Sequence, residues 1–143
     1  MWILSRCGSA IDVALHVTSA VDVDDLSVGS YNYTTLVCDT SDNWVSDTVF
    51  VTVVDTTDPT VDGPEDIQYE AGTTGHSILW SPSDLYPDSY ELYRNGSLID
   101  EGDWGGSPIL ADVDGLDLGA YSYTLVVYDT SENWNSDSVL VSV

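Results

Sequence analysis

The chain has 143 residues, 25 of them acidic and 2 basic, giving a formal net charge of −23 and a pI near 4.1. That balance excludes nucleic-acid binding, which needs Lys and Arg to displace counterions from phosphate, and attraction to anionic membrane surfaces. A hydrophobic share of 43% excludes a disordered acidic tail and supplies enough apolar surface for a packed core.

Taken from the N-terminus, Met1 to Ala10 lacks the basic start and apolar run of a signal peptide. No stretch is long enough to insert in a membrane as a helix. Asp22 to Val53 then reads again, without a gap, as Asp112 to Val143, with more than half of the aligned residues identical. Upstream, Arg6-Cys7-Gly8-Ser9-Ala10-Ile11-Asp12 is a fainter echo of Arg94-Asn95-Gly96-Ser97-Leu98-Ile99-Asp100. Self-similarity at a fixed period points to a repeat array. The segment Thr57 to Asp88 that precedes the second copy has no equivalent before the first. The expected division is therefore an incomplete module over residues 1–55, from its third strand onward, and a complete one over residues 56–143.

No segment has helical periodicity. Alternating β-rich runs separated by Gly, Pro, Asp, Asn and Ser predict strands. In the second copy these fall near Ile67–Glu70, Ser77–Ser81, Tyr90–Arg94, Ser97–Glu101, Ile109–Val113, Ala120–Asp129 and Trp134–Val143. Asn95-Gly96 predicts a two-residue hairpin turn, because both residue types tolerate positive φ. Seven short antiparallel strands predict an all-β sandwich. Leu116-x-x-Gly119-x-Tyr121-x-Tyr123, with its copy Leu26-x-x-Gly29-x-Tyr31-x-Tyr33, reads as a tyrosine corner, and Trp80 as the core tryptophan.

Together with Asp55-Thr56-Thr57-Asp58-Pro59, Gly63-Pro64-Glu65-Asp66-Ile67 and Asp129-x-Ser131-x-Asn133, these residues give the chain a family likeness. It resembles tandem immunoglobulin-like or fibronectin-III-like β-sandwich repeats, of the hyalin-repeat type found in microbial or archaeal surface proteins. The resemblance spans the second copy and the later strands of the first. It implies a sandwich fold and an extracellular, cell-surface location, but no particular activity, because such folds host many functions.

The residues themselves argue against catalysis. His16 and His76 occupy unrelated positions in the two copies, and neither neighbours a recognisable nucleophile motif. Phosphate-cradling glycine loops, HExxH and CxxCH are all missing. Cys7 and Cys38 are expected to be unpaired thiols at opposite ends of neighbouring strands, too far apart to bridge.

In a sandwich of this topology, the loops after the second and sixth strands gather where a module begins, and the loop before the sixth where it ends. That would bring Asp22, Asp24 and Asp25, Asp55 and Asp58, Asp84 and Asp88, and Asp129 with Glu132 to the module junction. Convergent carboxylates suit Ca2+, a hard cation that takes six to eight oxygen ligands. The competing reading is turn chemistry, in which Asp129 accepts a bond from an amide two residues on. Asn32 and Asn95 head glycosylation sequons at accessible positions. Trp44, Trp104 and Trp134 are candidates for sugar or subunit contact, with strand packing as the alternative.

Lacking its first two strands, the first copy is expected to expose half of its core face, a template for strand addition. These features point to a non-enzymatic structural module of a surface protein or filament. Its expected partner is a second copy or a longer repeat protein. Adhesion to glycans through exposed tryptophans is the alternative.

Overall fold

In the computed structural model, which describes residues 2–6, 20–39 and 41–143 (2–6 by backbone only), every regular element is a β-strand. The chain divides into two compact units, Met1–Asp55 and Thr56–Val143.

Unit 2 contains seven strands: β4 (Ile67–Gln68), β5 (Ser77–Trp80), β6 (Pro87–Arg94), β7 (Ser97–Asp103), β8 (Ile109–Asp112), β9 (Ala120–Asp129) and β10 (Trp134–Ser142). All seven expected strands form, with ends displaced by a few residues, but β4 runs parallel to its neighbour β10 and not antiparallel as expected. Five make one sheet in the order β4-β10-β9-β6-β7, and β5 pairs with β8 in a second. Period-2 patterning explains the layering: β9 alternates so that Tyr123, Leu125 and Val127 are buried while its other face is not. Those residues, with Leu92, Val139 and Val141, meet Ile78, Trp80, Ile109 and Ala111 of the two-stranded sheet in one core. This is an all-β sandwich.

Local devices hold the layers in register. Asn95 and Gly96 have φ of 51° and 78°, the paired positive values that a tight β6–β7 hairpin requires. The tyrosine corner forms as predicted, with Tyr121 Oη donating to the carbonyl of Asp117 at 3.1 Å. Trp80 is fully buried, and its indole Nε1–H donates to Asp137 Oδ2 at 2.9 Å. That bond satisfies a polar group which the core would otherwise penalise.

Unit 1 is a three-stranded sheet in the order β1 (Trp2–Arg6), β2 (Gly29–Cys38), β3 (Trp44–Val53). β2 and β3 pair antiparallel, from Gly29 beside Val53 to Cys38 beside Trp44. The corner recurs, Tyr31 Oη donating to the Ser27 carbonyl at 2.7 Å. β1 differs from its sequence counterpart. β6 runs antiparallel to β9, whereas β1 runs parallel to β2, with Arg6 beside Val37. No described residue of unit 1 is buried.

The parallel pairing corrects the expectation for the cysteines. Cys38 is disulfide-bonded, not a free thiol, and the chain's other cysteine, Cys7, lies outside the described residues. The expectation assumed antiparallel neighbours whose following residues diverge.

Candidate functional site

One end of unit 2 is built from the loop after β5 and the turn between β9 and β10. The two meet through a backbone bond from Thr130 N–H to the Tyr86 carbonyl, 2.9 Å. The segment that opens the unit joins them: Thr60 and Ser83 exchange backbone bonds of 3.0 and 2.9 Å, and Asn135 Nδ2 donates to the Pro59 carbonyl at 2.9 Å.

Asp129, only 2% exposed, organises the turn. Its Oδ1 accepts the amides of Ser131 and Asn133 at 2.8 and 2.9 Å, and its Oδ2 accepts Asn133 Nδ2 at 2.8 Å. Glu132 has φ of 66°, which the tight reversal demands. The same turn recurs in unit 1. Asp39 accepts Ser41, Asn43 and Asn43 Nδ2 at 2.8, 2.9 and 2.8 Å, and Asp42 has φ of 62°. The bond from the Asn43 side chain, followed by the Asn43 and Ser41 amides, holds the Asp39 carboxyl below the usual carboxylate range. The Asp-x-Ser-x-Asn motif is thus a carboxylate-centred turn in both units.

The other candidate acids are divided between the two units. Asp84 is half-buried, with Oδ1 accepting the Tyr86 amide at 2.7 Å, and carboxylate oxygens of Asp84 and Asp129 lie within 4.8 Å of each other. Asp88 and Glu132 are exposed, and with Ser89, Tyr128 and Asp129 they line an open cleft of about 450 Å³. Asp58 is exposed near the start of the unit. Asp22, Asp24 and Asp25 belong to unit 1, are exposed, and form a local turn in which the Asp24 amide donates to Asp22 Oδ1 at 2.9 Å. Asp55, half-buried, ends unit 1.

The tryptophans separate clearly. Trp104 is 2% exposed, its amide donating to the Asp88 carbonyl and its Nε1 to the Ser107 carbonyl. It is a core residue and offers no surface for sugar or subunit. In the sequence it is flanked by Gly102, Gly105 and Gly106. Trp44 and Trp134 are 68% and 57% exposed. Trp134 sits directly across from Tyr128 on the outer sheet face. Behind Tyr128, Glu91 Oε2 accepts the hydroxyls of Tyr93 and Tyr128 at 2.8 and 3.1 Å. This tyrosine–glutamate cluster was missed in the sequence, although period 2 along β9 places Tyr128 outward. Asn32 is exposed on β2. Asn95 is exposed at the hairpin tip, where its Oδ1 accepts the Ser122 amide at 2.9 Å.

At the opposite end, Asp114 accepts the amides of Gly75 and His76 at 2.6 and 2.9 Å and His76 Nδ1 at 2.9 Å. The His76 ring stacks on Tyr69 with centroids 4.1 Å apart, and Tyr69 Oη donates to the Val113 carbonyl. His76 is thereby committed to closing the loop before β5 onto the loop after β8. His16 lies outside the described residues.

No protein family and no curated protein matches this chain. Among solved structures it is similar to fibronectin(III)-like modules of Clostridium thermocellum CbhA, at 13% identity, over 59% of this chain and 94% of that one, with a TM-score of 0.40. The sandwich assignment rests on the strand order and core described above. Among the described residues, no helix is long and apolar enough to cross a membrane.

Proposed function

We propose that the chain is a non-enzymatic structural module of an extracellular, microbial surface protein or filament built from sandwich repeats, whose N-terminal unit is completed by a neighbouring subunit. One observation carries this reading. Val139 and Val49 occupy the same place in the repeat, each beside a tyrosine (Tyr123 and Tyr33) on the adjoining strand. Val139 is 0% exposed beneath the second sheet, while Val49 is 56% exposed. A face patterned for burial and left open favours association. The disulfide at Cys38 supports an oxidising compartment.

Sedimentation of the full chain across a concentration series in high salt tests the proposal, since salt screens the −23 charge. Assembly that is lost in Val49→Glu is expected. A monomer at every concentration whose β2–β3 amides resist hydrogen exchange would refute it.

Ca2+ forms part of the same reading. Asp84 and Asp129 face one another, and a hard cation between them would relieve their repulsion and stiffen that end of unit 2. Adhesion to glycans is a second reading. The pairing of exposed Trp134 with Tyr128 beside the cleft favours it, since aromatic faces with neighbouring hydroxyl and carboxylate groups suit sugars.

A further inference from the structure

The two copies differ at one cross-strand pair. Residues 22–53 align on 112–143 without a gap, so Asn32 and Phe50 stand where unit 2 has Ser122 and Leu140. Asn32 lies directly beside Phe50 in the β2–β3 register, as Ser122 lies beside Leu140 between β9 and β10. Directly paired residues project from the same face, with Cβ atoms about 4.5–5.5 Å apart. That face is opposite to the one carrying Tyr33 and Val49, because strand neighbours alternate. The next pair along it is alike in both units: Thr34 and Thr48 share a hydroxyl bond of 2.9 Å, as Thr124 and Ser138 do at 2.8 Å.

Two changes coincide at the differing pair. Asn32-Tyr33-Thr34 is a glycosylation sequon, whereas Ser122-Tyr123-Thr124 is not. Across from it, Phe50 is the chain's single phenylalanine and is 78% exposed, against 45% for Leu140. A phenyl face open to water is unfavourable by itself. It suits the apolar C–H face of a pyranose ring tethered one strand away. The other sequon lacks this companion. Asn95 lies in the turn between Arg94 and its partner Ser97, so no residue is paired with it across the hairpin.

We propose that Asn32 carries an N-linked saccharide whose first pyranose ring lies on Phe50. In the transfer, Asn32 Nδ2 attacks the anomeric carbon of a polyprenyl-phosphate-linked saccharide. The bond from nitrogen to that carbon forms, the carbon–oxygen bond to phosphate breaks, and a proton leaves Nδ2. The Thr34 hydroxyl is engaged with Thr48 in the folded sheet, so transfer precedes the pairing of β2 with β3. The inference rests on the extracellular placement proposed above and not on the completion of unit 1. A bulky, hydrated group on this face closes it to association and leaves the Tyr33–Val49 face as the one open to a neighbour.

The test uses the full chain secreted from a host that glycosylates Asn-x-Ser/Thr sequons, with its glycans trimmed enzymatically to the first N-acetylglucosamine. Peptide mass spectrometry reads occupancy, and hydrogen exchange reads the opening of β2–β3. Asn32 is expected to be occupied, with β2–β3 amides exchanging about 2- to 10-fold more slowly than in Asn32→Gln, the range of one aromatic face contact. In Phe50→Ala that difference should vanish, since the two changes remove one interaction. Asn32 left bare in the secreted chain overturns the modification site. An occupied Asn32 without the slowing, or with a slowing that survives Phe50→Ala, overturns the contact with Phe50. A free Cys38 thiol in the same spectra counts instead against the extracellular reading itself.

Discussion

The sharpest test of the exposed face compares the same substitution at the same place in the two units. Val139→Ala removes side-chain carbons that are 0% exposed. At about 0.8 kcal/mol per buried methylene plus a cavity term, the loss is about 2–3 kcal/mol. Val49 is 56% exposed, so roughly half of that transfer term was never gained and no closed cavity is left. Val49→Ala should therefore cost below about 0.8 kcal/mol. Urea unfolding of the full chain, followed by near-ultraviolet circular dichroism, reports on unit 2 through its buried Trp80 and Trp104. With a slope of about 1 kcal/mol/M, Val139→Ala should lower that midpoint by about 2–3 M, while Val49→Ala leaves it in place. If Val49→Ala instead moves a cooperative transition by as much as Val139→Ala does, the face is covered in the isolated protein. Completion of unit 1 by a partner is then ruled out.

Three further outcomes are expected. Tyr121→Phe removes the bond to the Asp117 carbonyl and should destabilise unit 2 by about 0.5–1.5 kcal/mol in the same urea assay; no change would mean that the corner contributes nothing. The Gly75 amide, then the His76 amide, hold the Asp114 carboxyl below its ordinary value of 3.8. Its contribution to stability is thus present above that value and is lost as pH falls through the lowered one. Acid unfolding should accordingly be blunted below about pH 4 in Asp114→Asn, and an unaltered acid limb would rule this out. Saturating Ca2+ at a hundredfold excess over Kd should stabilise unit 2 by about 2.7 kcal/mol, raising Tm by about 10–20 °C in the full chain and not in Asp84→Asn. An unchanged Tm would leave the acids at that end as turn formers alone.

Much of unit 2 was readable because its signals are local. A strand's two faces follow from alternation two residues apart, the Asn95-Gly96 turn from the φ tolerance of two residues, and the tyrosine corner from a bond spanning four residues. The Asp129 turn was legible for the same reason, since all of its donors lie within four residues. The sites were less legible. Trp104 looks like a surface residue among glycines, and its burial depends on contacts with Asp88 and Ser107 that only the closed fold provides. The clasp of His76 on Asp114 joins residues 38 positions apart, so no local pattern reveals it.

By itself, the sequence determined that this is a duplicated, strongly acidic all-β protein, and where each strand of unit 2 runs. Composition, period-2 alternation and turn chemistry are properties of neighbours along the chain. Only the tertiary structure decided that β1 runs parallel to β2, that Cys38 is bonded, that Trp104 is core while Trp134 is surface, and that Asp137 meets the indole of Trp80. Strand direction, burial and hydrogen-bond partners depend on what lies across a sheet or between sheets. Two copies of nearly the same residues therefore end in different environments, one covered and one open.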